Sequence, residues 1–174
     1  AHHDPLTGLP NRRLFHDILK QTLAKAHRNS KQVAILFLDL DNFKSINDHF
    51  GHNEGDLLLN NLAELLKEAV RESDIICRWG GDEFVLALID VNGRSDAELV
   101  ANKIRNSVRE RYSYSKYKGF ALGTSIGISM FPEDSSKPDR LIRNADQAMY
   151  LAKRNGKNMH HFFNKELLSL NVPG

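Results

Sequence analysis

One cysteine, one tryptophan and no long apolar run are the first facts about this chain of 174 residues. The lone thiol, Cys77, excludes an internal disulfide and the stapled folds of small secreted proteins, so a reducing compartment, the cytoplasm, is expected. No stretch approaches the roughly 20 apolar residues that span a bilayer, and no signal peptide is visible. Charge of either sign is not in excess: 24 Lys and Arg face 22 Asp and Glu, a net of +2, which gives no general pull toward nucleic acid or a membrane surface. Neither G-x-x-x-x-G-K-[ST] nor H-E-x-x-H occurs, so a nucleotide would have to be held without a P-loop and a zincin-type site is excluded. Internal repeats and low-complexity tracts are absent as well. The remaining composition, 41% hydrophobic and 26% charged, suits one globular domain with a real core. The chain opens at Ala1 without a methionine and meets a motif within a few residues. We therefore expect a segment of a longer protein whose upstream regulatory domain lies outside it.

Periodicity orders the elements. Leu14, Phe15, Ile18, Leu19, Leu23 and Ala26 stripe a first helix opened by Pro10-Asn11. Val33 to Leu40 is a nearly unbroken apolar run, the mark of a strand covered on both faces. A helix is expected from near Phe43, interrupted over Gly51 to Asp56 and continued by the stripe Leu58, Leu62, Leu65 and Ala69. Further helices follow from Ala97, Val100, Ile104 and Val108, and from Leu141, Ala145, Ala148 and Ala152. Tyr112 to Gly119 reads as a polar loop, Phe120 to Met130 as one or two strands, and His160 to Phe163 as a last strand. The order α-β-α-α-β-β-α-β-α-β, with a hairpin inside alternating elements, predicts an α/β fold with a mixed central sheet flanked by helices. The domain is expected over residues 1–163, with 164–174 a tail.

That hairpin is the centre of interest. Asp74-Ile75-Ile76-Cys77 and Phe84-Val85-Leu86-Ala87-Leu88 are joined through Gly80 and Gly81, which supply the positive φ angles of a tight turn. The turn delivers Asp82 and Glu83 at its exit, and the glycines let a ligand approach the backbone. A structural hairpin needs the glycines but not the acids; a bare tip beside acids suits a phosphate-bound metal. Because strand neighbours alternate in direction, Asp82 rather than Glu83 is expected to be the direct metal ligand.

Asp39 ends the buried run, where α/β sheets place their ligands. An acid this deep needs a partner, and a metal is a natural one; the carbonyl of Leu40 suits a hard cation too. Asp41 shares a strand face with Asp39, although an N-cap for the next helix is the simpler reading. A calcium helix–loop–helix is excluded, because Lys44 and Phe50 stand where its glycine and glutamate are required. Lys44, Asn47, His52 and Asp56 gather at the helix interruption. Lys44 can neutralise a phosphate, and Asn47 and Asp56 can read a base edge, the carboxylate accepting the paired donors of guanine. A solvated lysine, a cap and a turn are the plain alternatives, and His49 with His52 reads as a structural pair. Lys153 and Lys157, one turn apart at the end of the last helix, are either a complemented helix end or a clamp on a polyphosphate. Arg71-x-x-Asp74 is either a surface ion pair or a guanine and phosphate reader.

In order, Asp4-Pro5-Leu6-Thr7-Gly8-Leu9-Pro10-Asn11-Arg12, Leu38-Asp39-Leu40-Asp41-Asn42-Phe43-Lys44-Ser45-Ile46-Asn47-Asp48, Gly51-His52-Asn53-Glu54-Gly55-Asp56, Gly80-Gly81-Asp82-Glu83-Phe84 and Gly156-Lys157-Asn158 resemble the GGDEF family, the diguanylate cyclase domain. Each motif is weak alone; together they cover nearly the whole chain. The resemblance implies a palm-like nucleotidyl cyclase fold and condensation of two GTP into cyclic di-GMP with release of two pyrophosphates. It implies Mg²⁺ or Mn²⁺ on Asp39, the Leu40 carbonyl and Asp82, with Glu83 supporting the metal or deprotonating the 3′-hydroxyl. It assigns Lys44, Lys153 and Lys157 to phosphates, and Asn47 and Asp56, with His52 nearby, to guanine. Arg71 and Asp74 match a product-inhibition site whose partner arginine falls near Lys103, where a lysine loses bidentate geometry. The Asp-Pro-Leu-Thr opening is given a structural role. A symmetric two-base product requires two facing GTP molecules, hence a homodimer. A catalytically silent module that binds GTP or cyclic di-GMP, and a variant making another cyclic nucleotide, stand as alternatives; the intact hairpin speaks against the first and Asp56 against the second.

Overall fold

The computed structural model describes residues 1–166. Its elements run α1 (Arg12–Arg28), β1 (Gln32–Asp41), α2 (Phe43–Phe50), α3 (His52–Ala69), β2 (Ile75–Gly80), β3 (Glu83–Val91), α4 (Arg94–Tyr112), β4 (Gly123–Phe131), α5 (Pro138–Arg154) and β5 (His160–Phe162). This is the predicted order. The strands form one sheet in the order β2-β3-β1-β4-β5. All its pairings are antiparallel except β4 with β5, so the sheet is mixed, as expected.

Side-chain alternation along β1 sorts the core into two layers. Ala34, Leu36, Leu38 and Leu40 pack with α3 and α4, whereas Val33, Ile35 and Phe37 pack with α1 and α5. Both faces of β1 are therefore covered, although its neighbours are antiparallel. Asp39 and Asp41 continue the odd-numbered face and point toward α5. Cys77 is fully buried and its thiol is pushed up to about 12 by burial, which leaves it unreactive.

α5 lies unusually close to β4. The β4 residues beneath it are Ser125, Gly127 and Ser129, and a Cβ on Gly127 would stand 1.9 Å from the Ala145 carbonyl oxygen and 2.2 Å from the Met149 nitrogen. The Ser129 hydroxyl donates to the Leu141 carbonyl at 2.6 Å, fixing one end of the helix. A bare strand thus seats a helix whose own inner stripe is largely alanine.

Two local expectations change. Asp41 does not cap α2; Asn42 holds that position in the left-handed region, φ 64°. Asp41 is instead 1% exposed and accepts from the Ser125 hydroxyl at 2.6 Å and the Asn158 N–H at 2.8 Å, because it continues the buried face. The helix interruption is one residue wide: Gly51, φ 94°, separates α2 from α3, which already starts at His52. Phe120 to Met130, read as one or two strands, contributes one.

Candidate active site

The tip between β2 and β3 is Gly81-Asp82. Only Gly81 has a positive φ, 52°; Gly80 ends β2 and faces no obstruction closer than 3.5 Å. One glycine, not both, therefore makes the turn. Arg78 holds it: Nε and Nη2 donate to the Gly81 carbonyl at 3.1 and 2.8 Å, while Nη1 reaches Asp4 at 2.9 Å. Asp4 also accepts from the Thr7 N–H and hydroxyl at 2.8 and 2.7 Å. Burial alone would raise Asp4, but these bonds outweigh it and hold its carboxyl below the usual range. The Asp-Pro-Leu-Thr segment is thus a brace on the hairpin tip. Arg12 adds to it, donating to the Trp79 carbonyl at 2.7 Å and stacking on the indole 4.6 Å from its centroid.

β1 ends beside this tip. Asp39 pairs across the sheet with Glu83, so the two side chains share a face. Asp82 sits in the turn, outside the strand, and its carboxyl lies against that of Asp39. Strand alternation therefore does not separate Asp82 from Glu83, because only Glu83 belongs to the ladder. The sequence pattern also missed a fourth acid, Asp146 of α5, half-buried beside the same group. Its position seven residues, or two turns, before Lys153 was the available clue. Lys153 donates to Asp39 at 3.0 Å and lies 3.8 Å from Asp41.

The electrostatics are those of carboxylates crowded together. Burial, then the adjoining Asp82, raises Asp39 to about 8, against the pull of Lys153. Glu83 is raised by burial, then by Asp39 and Asp146; Asp146 is raised by burial, then by Asp39. Asp39 Oδ1 is buried and has no partner. The sign follows. In the unfolded chain Asp39 loses its proton near 3.8, so between there and about 8 the unfolded state binds fewer protons than the folded one. The metal-free protein is therefore expected to lose stability as pH rises through this window. Mg²⁺ is expected to restore it increasingly toward the upper end, where it no longer competes with a proton. Thermal melts across pH, with and without Mg²⁺, check this; a Mg²⁺ effect that does not grow with pH would contradict it.

Oxygen donors of this kind fit a hard divalent cation. Among the described residues no three Asp, Glu, His or Cys side chains close into a cage. Two carboxylates, the Leu40 carbonyl and the phosphates of a substrate make the appropriate set, since Mg²⁺ commonly binds through few protein groups plus phosphate.

The other predicted residues divide. Lys157 lies beyond α5, which ends at Arg154, and is not one helical turn from Lys153. At φ 66° it extends back to Asn42, donating to Oδ1 at 2.9 Å. Lys44, His52 and Asp56 are exposed around the α2–α3 junction. Asn47 faces α3 with a buried, unpartnered Oδ1, and it fits only because Gly55 has no side chain: a Cβ there would lie 1.8 Å from that oxygen. Arg71, Asp74 and Lys103 line one cavity of about 330 Å³ with Leu99 and Val100. Asp74 pairs with the exposed Arg71 but is itself buried. Its side chain is 2% exposed and takes the N–H groups of Arg71 and Ile89, both at 2.9 Å, beside a weaker 3.5 Å contact to the Arg71 guanidinium.

The model of the family described as "Diguanylate cyclase, GGDEF domain" matches residues 1–159. The chain belongs to the GGDEF family. It is 44% identical over 167 residues to the bifunctional diguanylate cyclase/cyclic di-GMP phosphodiesterase MucR of Pseudomonas aeruginosa, covering 96% of this chain and 24% of that protein. With the diguanylate cyclase TpbB of the same organism the identity is 39% over 173 residues, 99% of this chain and 39% of TpbB. This GGDEF domain thus spans well under half the length of these relatives. The solved GGDEF domain of TpbB superposes with a TM-score of 0.90 at 38% identity, covering 96% and 97% of the two chains. The coiled-coil and GGDEF structure of DgcB from Caulobacter crescentus, a complex with c-di-GMP, gives 0.80 at 28% identity, covering 92% and 85%. The domain has the mixed-sheet, palm-like fold of solved GGDEF domains.

Proposed function

We propose that this GGDEF domain condenses two GTP into cyclic di-GMP and two pyrophosphates, each protomer of a homodimer presenting one nucleotide to the other. The observation that carries this reading is the approach of Asp82, at the glycine turn, to Asp39, at the end of β1. Asp39, Asp82 and the Leu40 carbonyl would hold Mg²⁺ or Mn²⁺. Bound there, the ion would neutralise charge on the α-phosphate and the leaving pyrophosphate.

The chain's own residues supply the rest. Lys153, now occupied by Asp39 and Asp41, lies within reach of both the acids and a phosphate tail, with Lys157 and Lys44 as further cations. Glu83 faces the same point, and its raised proton affinity suits it to accept the proton of an attacking 3′-hydroxyl. Asn47 and Asp56, with His52 close by, lie along the α2–α3 junction, where guanine would be read by a carboxamide and a carboxylate. Gly80 and Gly81 leave the tip bare for the nucleotide. We place the reaction in the cytoplasm, where GTP is available; no helix among the described residues is long and apolar enough to cross a membrane.

The test is cyclic di-GMP formation from GTP and Mg²⁺ at several protein concentrations. Specific activity should rise with concentration as dimers form. Absence of product would leave a binding module, and a different product would relocate the base selectivity.

Feedback is proposed at the Arg71–Asp74–Lys103 cavity, with c-di-GMP as the ligand. Arg71, 60% exposed, is held at Nη2 by the Ile89 carbonyl and more weakly by Asp74 and keeps its other donors for product, whereas Asp74 is committed to the backbone and fixes the turn. Arg71→Ala is therefore expected to relieve product inhibition without loss of fold, and Asp74→Ala to destabilise by about 1–3 kcal/mol by freeing buried N–H groups. Inhibition curves and urea melts separate the two. Overlaying curves for Arg71→Ala and the parent would end the regulatory assignment.

A further inference from the structure

We propose that Asp146 is an outer positioning carboxylate of the cation site, raising its affinity for divalent ions through ordered water rather than by direct ligation. This rests on reading Asp39 and Asp82 as that site. α5 packs its Asp146–Lys153 face onto the odd-numbered face of β1 and β3. Asp146 lines a cavity of about 620 Å³ together with Glu83, Trp79, Arg12 and Arg143. Glu83 is in turn the cross-strand neighbour of Asp39. Asp146 makes no hydrogen bond or ion pair among the described residues, although Arg143 borders the same space.

A half-buried carboxylate beside other acids, without a partner, is an unfavourable arrangement unless something positive completes it. Lys153 does not: its ammonium is held by Asp39 and Asp41. Nor do three acids among the described residues form a cation cage, so Asp146 is placed outside the ligand set. The cavity has room for water between Asp146 and Glu83, the cross-strand neighbour of Asp39, and outer carboxylates acting through water commonly strengthen metal sites.

The experiment uses Mn²⁺ alone, without nucleotide, followed by loss of the free-ion electron paramagnetic resonance signal. Asp146→Asn is expected to bind about tenfold more weakly than the parent, and Asp146→Glu to regain most of that affinity. A merely structural aspartate would leave the Mn²⁺ midpoint unchanged in both variants. A parent-like Mn²⁺ midpoint in Asp146→Asn overturns the proposal. Asp39→Asn serves as the reference. If it abolishes binding while Asp146→Asn does not weaken it, only the role of Asp146 fails. If Asp39→Asn binds Mn²⁺ like the parent, or the parent itself does not bind, the reading of the site fails with it.

Discussion

Asp82→Ala is expected to lower the rate of cyclic di-GMP formation by about a thousandfold or more, because it removes a group aimed at charge that develops in the reaction. The fold should survive. Asp82 sits in a turn held by the Arg78 bonds to the Gly81 carbonyl, which do not involve its carboxyl. Its charge instead presses on Asp39. Metal-free Asp82→Ala should therefore melt no lower than the parent, and Asp39 should titrate closer to the ordinary carboxylate range. Carboxylate chemical shifts across pH, read together with turnover, separate loss of chemistry from loss of structure. Substantial turnover in this variant would refute the metal role.

The second large effect is structural. Gly127→Ala is expected to cost about 3 kcal/mol, the upper part of the usual range for overpacking. The added methyl would meet backbone atoms of Ala145 and Met149, which cannot rotate aside as a side chain could. α5 would have to lift from β4, carrying Lys153 away from Asp39. Gly81→Ala makes the comparison: its φ of 52° is strained for alanine but nothing lies within 4 Å of the new Cβ, so about 1 kcal/mol is expected there. Urea midpoints decide. If Gly127→Ala unfolds at the parent's midpoint, the seat of α5 is softer than described.

Much of the frame was legible because periodicity reports burial. The α1 stripe, the unbroken β1 run and the alanine stripe of α5 each name the face that packs. The hairpin was legible because a left-handed turn residue leaves a strong local mark at Gly81. What was hidden depends on contacts between distant elements. Asp41 read as a cap because its partners, Ser125 and Asn158, lie more than 80 residues away. Alternation was the ground for preferring Asp82 to Glu83 as the direct ligand, and it holds inside a strand but not across its first residue. Asp146 carried no motif and joined the other acids only through the packing of α5. Lys157 was placed on a helix that in fact stops at Arg154, since a positive φ at a lysine leaves no mark in the sequence.

The Lys153–Asp39 contact has one more implication. Without a ligand, the domain supplies its own positive charge to the pocket, a built-in placeholder at 3.0 Å. On the proposed reading, an ion held by Asp39 and Asp82 would displace that ammonium, which would then be free to face phosphate. Occupancy and readiness would be coupled by a single swap of partners.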